Sequence, residues 1–257
     1  MELGLEGKNV LVTGASRGIG AAIAHRFLDE GANVIIVSRG SEKLYKTEVH
    51  LRSLFGKERI KAEKCDCTDS KSLALLKVKI ETLFGQLDIV INNIGDGRSV
   101  PDALPDDEQW KKTWNNNFES ALQTTRTFLP MLQDSKGCLL FVSSITAMEA
   151  FGAPVDYSTA KTAVAALAKN MARKLASEVR VNVLAPGNVF FAGGVWDEKI
   201  KHDPVRVKNI IESTVPMNRF GTPDEMADAA IFLCSERATF ITGSTLVVDG
   251  GQTVGIF

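Results

Sequence analysis

Short apolar runs alternate with longer segments of helical character along the whole chain. Several runs are apolar at nearly every position, such as the VIIV of residues 34–37, which suits strands buried on both faces of a parallel sheet. Strands are predicted at residues 9–13, 33–38, 60–66, 88–93, 138–144, 180–184 and 244–248. Because helical segments separate them, the strands are expected to be joined by crossover connections.

The helical segments carry recognisable start and stop signals. Helices are predicted at residues 19–30, 41–54, 69–84 and 156–176, with Ser41 and Asp69 as N-terminal caps and Gly31 ending the first. This alternation predicts a doubly wound α/β sheet. Since no repeat or linker interrupts it, residues 1–257 are expected to form one domain, with a flap at residues 188–215.

Charge and composition narrow the possible partners. Lysine and arginine number 30 against 31 acidic residues, so nothing favours nucleic acid or an anionic membrane as a partner. The four cysteines and three histidines are too scattered to predict a disulfide framework or a metal site. No signal peptide or membrane-spanning run is recognisable. We therefore expect a cytoplasmic protein without a metal.

A glycine-rich turn follows the first predicted strand and opens the first helix. Gly14 permits a tight turn, Gly18 lets the backbone approach a pyrophosphate, and Gly20 lets the helix pack close to the sheet. Amides at a helix N-terminus attract phosphate. A plain turn could also carry these glycines, but the strand–turn–helix context favours a dinucleotide site.

The residues at the end of the second strand indicate whether the dinucleotide is NAD or NADP(H). An acid that would accept from the ribose of NAD is missing there, and Ser38 and Arg39 stand in its place. Together with Arg17, Arg39 could hold the 2′-phosphate of NADP(H), although both arginines could instead be solvated. Asp66 could accept from the adenine amino group or cap the helix that follows it.

A tyrosine and a lysine four residues apart suggest acid/base chemistry. Tyr157 and Lys161 lie on one face of the last predicted helix, so the cation is expected to lower the pKa of the phenol. Ser144 ends the preceding strand, where its hydroxyl could bond a carbonyl oxygen. A tyrosine and a lysine at this spacing are, by themselves, more often a surface coincidence than a catalytic pair. Their occurrence together with the glycine-rich turn favours catalysis.

In these features the chain resembles the short-chain dehydrogenases/reductases of the single-domain type, including 3-oxoacyl-carrier-protein reductases and sugar or polyol dehydrogenases. The resemblance rests on the turn at 13–20, the NNIG of 92–95, Asn117, Ser144, Tyr157, Lys161, the PG of 186–187 and the DGG of 249–251. It covers essentially the whole chain. It implies a Rossmann-type sheet of seven parallel strands, a homotetramer or homodimer, and an enzyme that acts on CH–OH or C=O with NADP(H) preferred.

Residue roles follow from the same resemblance. Tyr157 would exchange the proton, Ser144 would orient the substrate oxygen, Lys161 would hold the nicotinamide ribose, and Asn117 would anchor a water that relays protons to Lys161. The implied cofactor-binding residues are Gly14, Ser16, Arg17, Gly18, Ile19, Gly20, Ser38, Arg39, Asp66, Cys67, Asn93, Gly95, Tyr157, Lys161, Pro186, Gly187 and Val189. Asn92 would line the adenosine ribose or serve as a structural residue.

The chain departs from the family pattern at two positions. Phe191 stands where the family often has a threonine that touches the nicotinamide amide, so backbone groups near Val189 are expected to replace that contact. Asp96 stands where a small residue is common and could reshape the mouth of the pocket.

The substrate is expected to be a small-molecule carbonyl or alcohol, and a carrier-bound substrate stays open. Phe190, Phe191 and Trp196 make the flap apolar enough to contact it, or to pack in a subunit interface or on the core instead. A non-catalytic dinucleotide sensor or scaffold on the same fold is the alternative function.

Overall fold

The computed structural model describes residues 2–256 and centres on a sheet of seven parallel strands. The strands are β1 (Asn9–Thr13), β2 (Asn33–Ser38), β3 (Ile60–Lys64), β4 (Ile89–Asn92), β5 (Cys138–Val142), β6 (Arg180–Pro186) and β7 (Thr245–Val248). Their order across the sheet is β3-β2-β1-β4-β5-β6-β7. The predicted Rossmann-type, doubly wound α/β fold is confirmed.

Helices cover both faces of the sheet. They are α1 (Gly18–Asp29), α2 (Ser41–Phe55), α3 (Ser70–Phe84), α4 (Asp107–Trp114), α5 (Ser120–Ser135), α6 (Val155–Leu175), α7 (Val195–His202), α8 (Pro204–Thr214) and α9 (Pro223–Cys234). Fully buried Phe27 packs the core under α1, α2 and α9, and fully buried Phe128 packs the core under α3, α5 and α6. Successive strand residues face opposite cores, which explains why strands such as β2 and β5 are apolar at nearly every position. None of the helices within residues 2–256 is long and apolar enough to cross a membrane.

Of the three residues predicted as possible helix caps, one caps its helix and two do not. Asp69 caps α3, because its carboxylate accepts from the amides of Lys71 and Ser72 at 3.2 and 3.1 Å. The prediction for Ser41 is wrong: Gly40 occupies the cap position of α2, and no side chain caps that helix. The capping alternative for Asp66 is also wrong, since its carboxylate is engaged by Thr68 two residues on.

The strand order determines where a ligand fits. After β1 the chain adds β2 and β3 on one side, and β4 pairs with the other side of β1. The connections that follow β1 and β4 therefore part in opposite directions and leave a crevice at the carboxyl ends of these strands, which is the usual ligand site of an open α/β sheet.

Candidate active site

A cleft of about 540 Å³ opens at this edge of the sheet. The predicted site residues that line it are Gly14, Ser16, Arg17, Ile19, Gly20, Ser38, Arg39, Asn93, Gly95, Ser144, Tyr157, Lys161, Pro186, Gly187, Val189, Phe191 and Trp196. Five others lie off its walls: Gly18, Asp66, Cys67, Asn117 and Phe190. The fold thus gathers most of the predicted cofactor and catalytic residues into one space.

The glycine-rich turn is pinned from below by Asn93. Its side-chain amide donates to the carbonyls of Thr13 and Gly14 at 3.0 and 3.2 Å. A Cβ on Gly20 would lie 2.4 Å from the same amide nitrogen, so only glycine lets α1 sit this close. The role of Asn93 is therefore to hold the turn in shape beneath the cleft.

The residues of this turn fit the phosphates of a dinucleotide. No side chain caps the N-terminus of α1, which leaves the first amides of that helix without a side-chain acceptor. Gly14 and Gly18 have positive φ angles, 65° and 58°, a backbone conformation that other residues rarely adopt. Arg17 and Arg39 add two cations to the same wall. Anions are favoured at such a helix N-terminus.

The end of the cleft where the sequence predicts the adenine is formed beyond β2 and β3. The Ser38 hydroxyl donates to the Gly40 carbonyl at 2.7 Å, and Arg39 is exposed beside it. Burial raises the pKa of Asp66, but hydrogen bonds from Thr68 and the charge of Arg39 lower it below its usual value. Asp66 therefore carries a full negative charge at neutral pH. The side chain of Cys67 is buried in the core beneath α3 and α5 and does not line the cleft.

Ser144 and Tyr157 lie next to each other on the wall of the cleft. Ser144 follows β5, and its oxygen accepts from the amide and the hydroxyl of Thr146 at 3.2 and 3.1 Å. With the oxygen occupied in this way, the Ser144 proton is left to donate into the cleft. Sequence reasoning missed Thr146, whose only signal is its place two residues after Ser144.

The pKa of Tyr157 departs from the sequence expectation. Burial raises it above its usual value, a hydrogen bond with Ser144 opposes that rise, and the charge of Asp96 adds to it. The ammonium of Lys161 lies 5.9 Å from the ring centroid of Tyr157 and donates instead to the Val142 carbonyl at 3.0 Å. The expected lowering by Lys161 is therefore wrong for the protein alone: burial dominates the shift, and Ser144, not Lys161, is the group that opposes it.

Lys161 is itself buried, and burial lowers its pKa to about 8. Gly95 faces it closely: a Cβ on Gly95 would lie 2.7 Å from the ammonium and 3.1 Å from the Asn117 oxygen. Gly95 is thus the residue that allows Lys161 and Asn117 to approach each other.

Asn117 lies in a wide helical turn, Asn115–Glu119, between α4 and α5. Such π-helical segments are uncommon and frequently mark functional sites. Its amide nitrogen donates to the carbonyls of Asp96 and Thr113 at 3.1 and 3.0 Å, and its oxygen accepts from the Asp96 amide at 3.0 Å. Asn117 therefore fixes the backbone of the loop that follows β4. Asn92 is structural, since it donates to Thr125 at 2.9 Å.

The predicted flap lies directly over the glycine-rich turn. A Cβ on Gly18 would lie 2.7 Å from the ring of Phe191, and the Gly193 carbonyl accepts from Arg17 at 2.7 Å. The flap is not an irregular loop: two helices, α7 and α8, make up most of it.

Phe190 departs from its predicted place on the substrate wall. Its amide donates to the Gly221 carbonyl at 3.0 Å, in a bridge that also pairs Val189 with Gly221. Successive side chains of such an extended segment point to opposite sides. Val189 and Phe191 therefore face the cleft, and the ring of Phe190 packs near Phe220 at 5.9 Å.

An ion pair that sequence reasoning missed ties the flap to the loop after β4. Arg98 donates to both carboxylate oxygens of Glu198 at 2.6 and 3.0 Å, and also to Asp96 at 3.0 Å. The residues are 100 positions apart, so spacing gave no signal for the pair. The position of Arg98 beyond the carboxyl end of a strand was the one available indication.

Comparisons with known proteins agree with this geometry. The family model described as "Enoyl-(Acyl carrier protein) reductase" matches residues 14–253. The chain is 30% identical to the 3-oxoacyl-[acyl-carrier-protein] reductase FabG of Thermotoga maritima, over 97% of this chain and 99% of that protein. It is 32% identical to glucose 1-dehydrogenase 2 of Bacillus subtilis, over 97% and 96%.

A solved structure agrees over its full length. The L-sorbose reductase of Gluconobacter frateurii, complexed with NADPH and L-sorbose, superposes with a TM-score of 0.92 at 29% identity, covering 100% of both chains. The fold, the gathered Tyr–Lys–Ser cleft and these matches lead to one conclusion. The chain belongs to the short-chain dehydrogenase/reductase family, and it is an oxidoreductase of the class that acts on CH–OH and C=O groups.

Proposed function

We propose that this protein transfers a hydride between NADP(H) and a small-molecule carbonyl/alcohol pair, with Tyr157 as the acid/base. The observation that carries the proposal is the convergence of Tyr157, Ser144 and Lys161 on the cleft that the glycine-rich turn also lines. When bound, the nicotinamide donates or accepts the hydride. The protein must then orient the carbonyl, exclude water and move one proton.

Ser144 and Tyr157 handle the substrate oxygen. The Ser144 hydroxyl, fixed by its two bonds from Thr146, donates to that oxygen and orients it. Because its pKa is raised, the Tyr157 phenol keeps its proton at neutral pH and is ready to donate it as the carbonyl is reduced. In the oxidative direction the phenol must first lose that proton.

Lys161 and Asn117 support this step. The buried ammonium of Lys161 faces the ribose position of the cleft, and its lowered pKa of about 8 makes it an exchangeable proton source near neutral pH. Asn117 anchors the water through which Lys161 regains a proton. The hydrogen bonds of its side chain to the Asp96 backbone support this, because they hold the π-helical segment beside Lys161.

NADP(H) is the preferred cofactor in this proposal. Arg39 and Arg17 lie on the wall of the cleft and match the charge of a 2′-phosphate, while an acid that would repel that group is missing at position 38. Val189 faces the cleft and would hold the nicotinamide through its backbone in place of the usual threonine. The NADPH bound to the Gluconobacter reductase supports the same cofactor here.

The flap at residues 188–215 would close over the substrate. Phe191 and Trp196 line the cleft, and Trp196 is backed by Phe220, whose ring lies 5.3 Å away. These rings would form an apolar wall beside the carbonyl. Substitution of Trp196 by alanine should then raise KM for large apolar carbonyls more than for small polar ones.

The chain is further proposed to act as one domain in a cytoplasmic homotetramer or homodimer. Large apolar side chains on the surface, among them Phe240 and Ile256, support self-association. Light scattering coupled to gel filtration tests the oligomer: a monomer at micromolar concentration would refute it.

Turnover decides between this function and a non-catalytic sensor. We expect oxidation of NADPH, followed at its nicotinamide absorbance, with at least one member of a panel of ketoses, aldehydes and small ketones. The complete set of Tyr157, Lys161, Ser144 and Asn117 supports catalysis. Tight NADPH binding without turnover of any member would favour the sensor.

A further inference from the structure

Asp156 is a buried carboxylate beside the catalytic tyrosine that the proposed reaction does not use. It is only 1% exposed and lies in the first turn of α6. A charge in such a place needs several hydrogen bonds to offset its lost hydration. Asp156 has them: one oxygen accepts from the amide of Tyr157 at 2.8 Å, and the other accepts from the Ser99 hydroxyl at 2.6 Å.

The carboxylate is ionised in this environment. Burial raises the pKa of Asp156, but hydrogen bonds from Ser99, Thr113, the amide of Tyr157 and Gln109 together lower it below its usual value. The network is therefore built around the charged form.

The same network reaches the helix that carries Asn117. The amide of Gln109 donates to Thr113 at 2.8 Å and to Ser99 at 3.1 Å, and lies 3.5 Å from Asp156. Thr113 in turn accepts from Asn117 through its carbonyl at 3.0 Å. A continuous chain of hydrogen bonds thus joins the start of α6 to the π-helical segment after α4.

A second branch reaches the wall of the cleft above the tyrosine. Ser99 belongs to the loop after β4, and two residues earlier Gly97 approaches the ring of Tyr157, with its Cβ position 3.8 Å from the ring. Holding Ser99 therefore also sets how closely this loop covers the phenol.

Helix α6 depends on this carboxylate at its start. Pro154 stands at the cap position and offers no side-chain hydrogen bond. The amide of Tyr157 is one of the N-terminal donors that an uncapped helix leaves unpaired. Asp156 takes that amide, so the backbone that bears the phenol is fixed by the same group that holds Ser99.

We propose that Asp156 is a positioning residue of the reaction, whose buried carboxylate fixes the Tyr157 phenol relative to the helix that carries Asn117. The inference rests on the proposed function, since positioning matters only if Tyr157 transfers the proton. A displacement of about 1 Å can cost on the order of 10²-fold in rate.

The test compares Asp156→Ala, Asp156→Asn and Ser99→Ala with the unchanged protein. We expect Asp156→Ala to lower kcat by about 10- to 100-fold at saturating NADPH and carbonyl substrate. The Kd for NADPH should change less than about twofold, because Asp156 does not line the cofactor cleft. Asp156→Asn, which keeps one acceptor, should have a higher kcat than Asp156→Ala. The kcat of Ser99→Ala should lie between those of Asp156→Ala and Asp156→Asn.

Asp69→Ala is the matched control. Asp69 is likewise an aspartate at a helix start. Its carboxylate accepts from two backbone amides, and it caps α3, outside the cleft. It should lower Tm and leave kcat of the folded protein unchanged. If the Asp156 and Ser99 variants behave like Asp69→Ala, losing Tm alone, the inference is overturned.

A double substitution separates positioning from general disturbance. In a Tyr157→Phe background, Asp156→Ala should lower the residual kcat by less than about twofold, since there is no proton-donating hydroxyl left to position. A full additional loss would contradict the inference. If Tyr157→Phe alone keeps wild-type turnover, the proposed function fails and this inference with it. If Tyr157→Phe is inactive while Asp156→Ala is fully active, only the inference fails.

Discussion

The phenyl ring of Phe191 rests directly on Gly18, so that a Cβ on this glycine would lie within 2.7–2.9 Å of three ring carbons. The flap and the glycine-rich turn are therefore in direct contact within the protein itself. Gly18 also has a φ of 58°, a left-handed conformation that costs other residues about 1–2 kcal/mol.

Gly18→Ala should weaken NADPH binding and lower Tm together. The new methyl group must displace the Phe191 ring, and the backbone must hold a strained angle. Titration of NADPH by protein fluorescence should give a Kd at least about tenfold higher, an effect of about 1.4 kcal/mol. Adding Phe191→Ala should restore part of the affinity but not the lost Tm.

Gly56→Ala is the control for backbone strain alone. Gly56 also has a positive φ, 85°, and a Cβ there would meet no atom within 4 Å. This variant should lower Tm without changing the Kd for NADPH. Equal effects of the two alanines on NADPH binding would contradict the account of Gly18.

Much of the fold could be predicted from the sequence, because most strands are apolar on both faces and several helices begin or end at a capping residue or glycine. The glycine-rich turn and the Tyr157–Lys161 pair were recognisable for the same local reasons. The raised pKa of Tyr157 was not, since burial is a property of the packed chain. Neither were contacts between distant segments, such as that of Arg98 with Glu198.

Arg39→Ala should lower kcat/KM with NADPH more than with NADH. If the guanidinium holds the 2′-phosphate, its loss should cost about 1.5–3 kcal/mol, or roughly 10- to 100-fold in kcat/KM with NADPH, and little with NADH. Lys43→Ala, which removes an exposed cation four residues away on α2, should change neither value. Equal losses with both cofactors would argue against a 2′-phosphate site at Arg39.

The two directions of the reaction should respond differently to pH. The pKa of Tyr157 is raised above its usual value, so the phenol keeps its proton through the neutral range and reduction should not need a more acidic medium. Oxidation requires the unprotonated phenol, so its kcat should rise from pH 7 to 9. Loss of charge on Lys161 near its pKa of about 8 should appear as a second inflection in both profiles. Oxidation that is faster at pH 6 than at pH 9 would contradict the assignment.

Glu198→Gln should loosen the flap. The variant removes the charge that meets Arg98 but keeps a similar shape. An exposed ion pair contributes little, so cleavage near residues 193–201 by a protease in the absence of ligands should accelerate only about two- to fivefold. Glu212→Gln is the control for loss of a carboxylate on the flap: Glu212 pairs loosely with Lys208 at 3.7 Å within α8, and the variant should leave the rate unchanged. Identical rates in all three proteins would show that Arg98 does not restrain the flap.

The most direct measurement of the central claim is kcat of Tyr157→Phe with saturating NADPH and carbonyl substrate. The ring remains and only the hydroxyl is lost, so NADPH should bind with a Kd within about twofold of the unchanged protein. Removal of a proton donor typically costs 10²- to 10⁴-fold, and kcat should fall by at least about 10²-fold. Turnover close to that of the unchanged protein, with NADPH bound equally well, would contradict the assignment of Tyr157 as the acid/base.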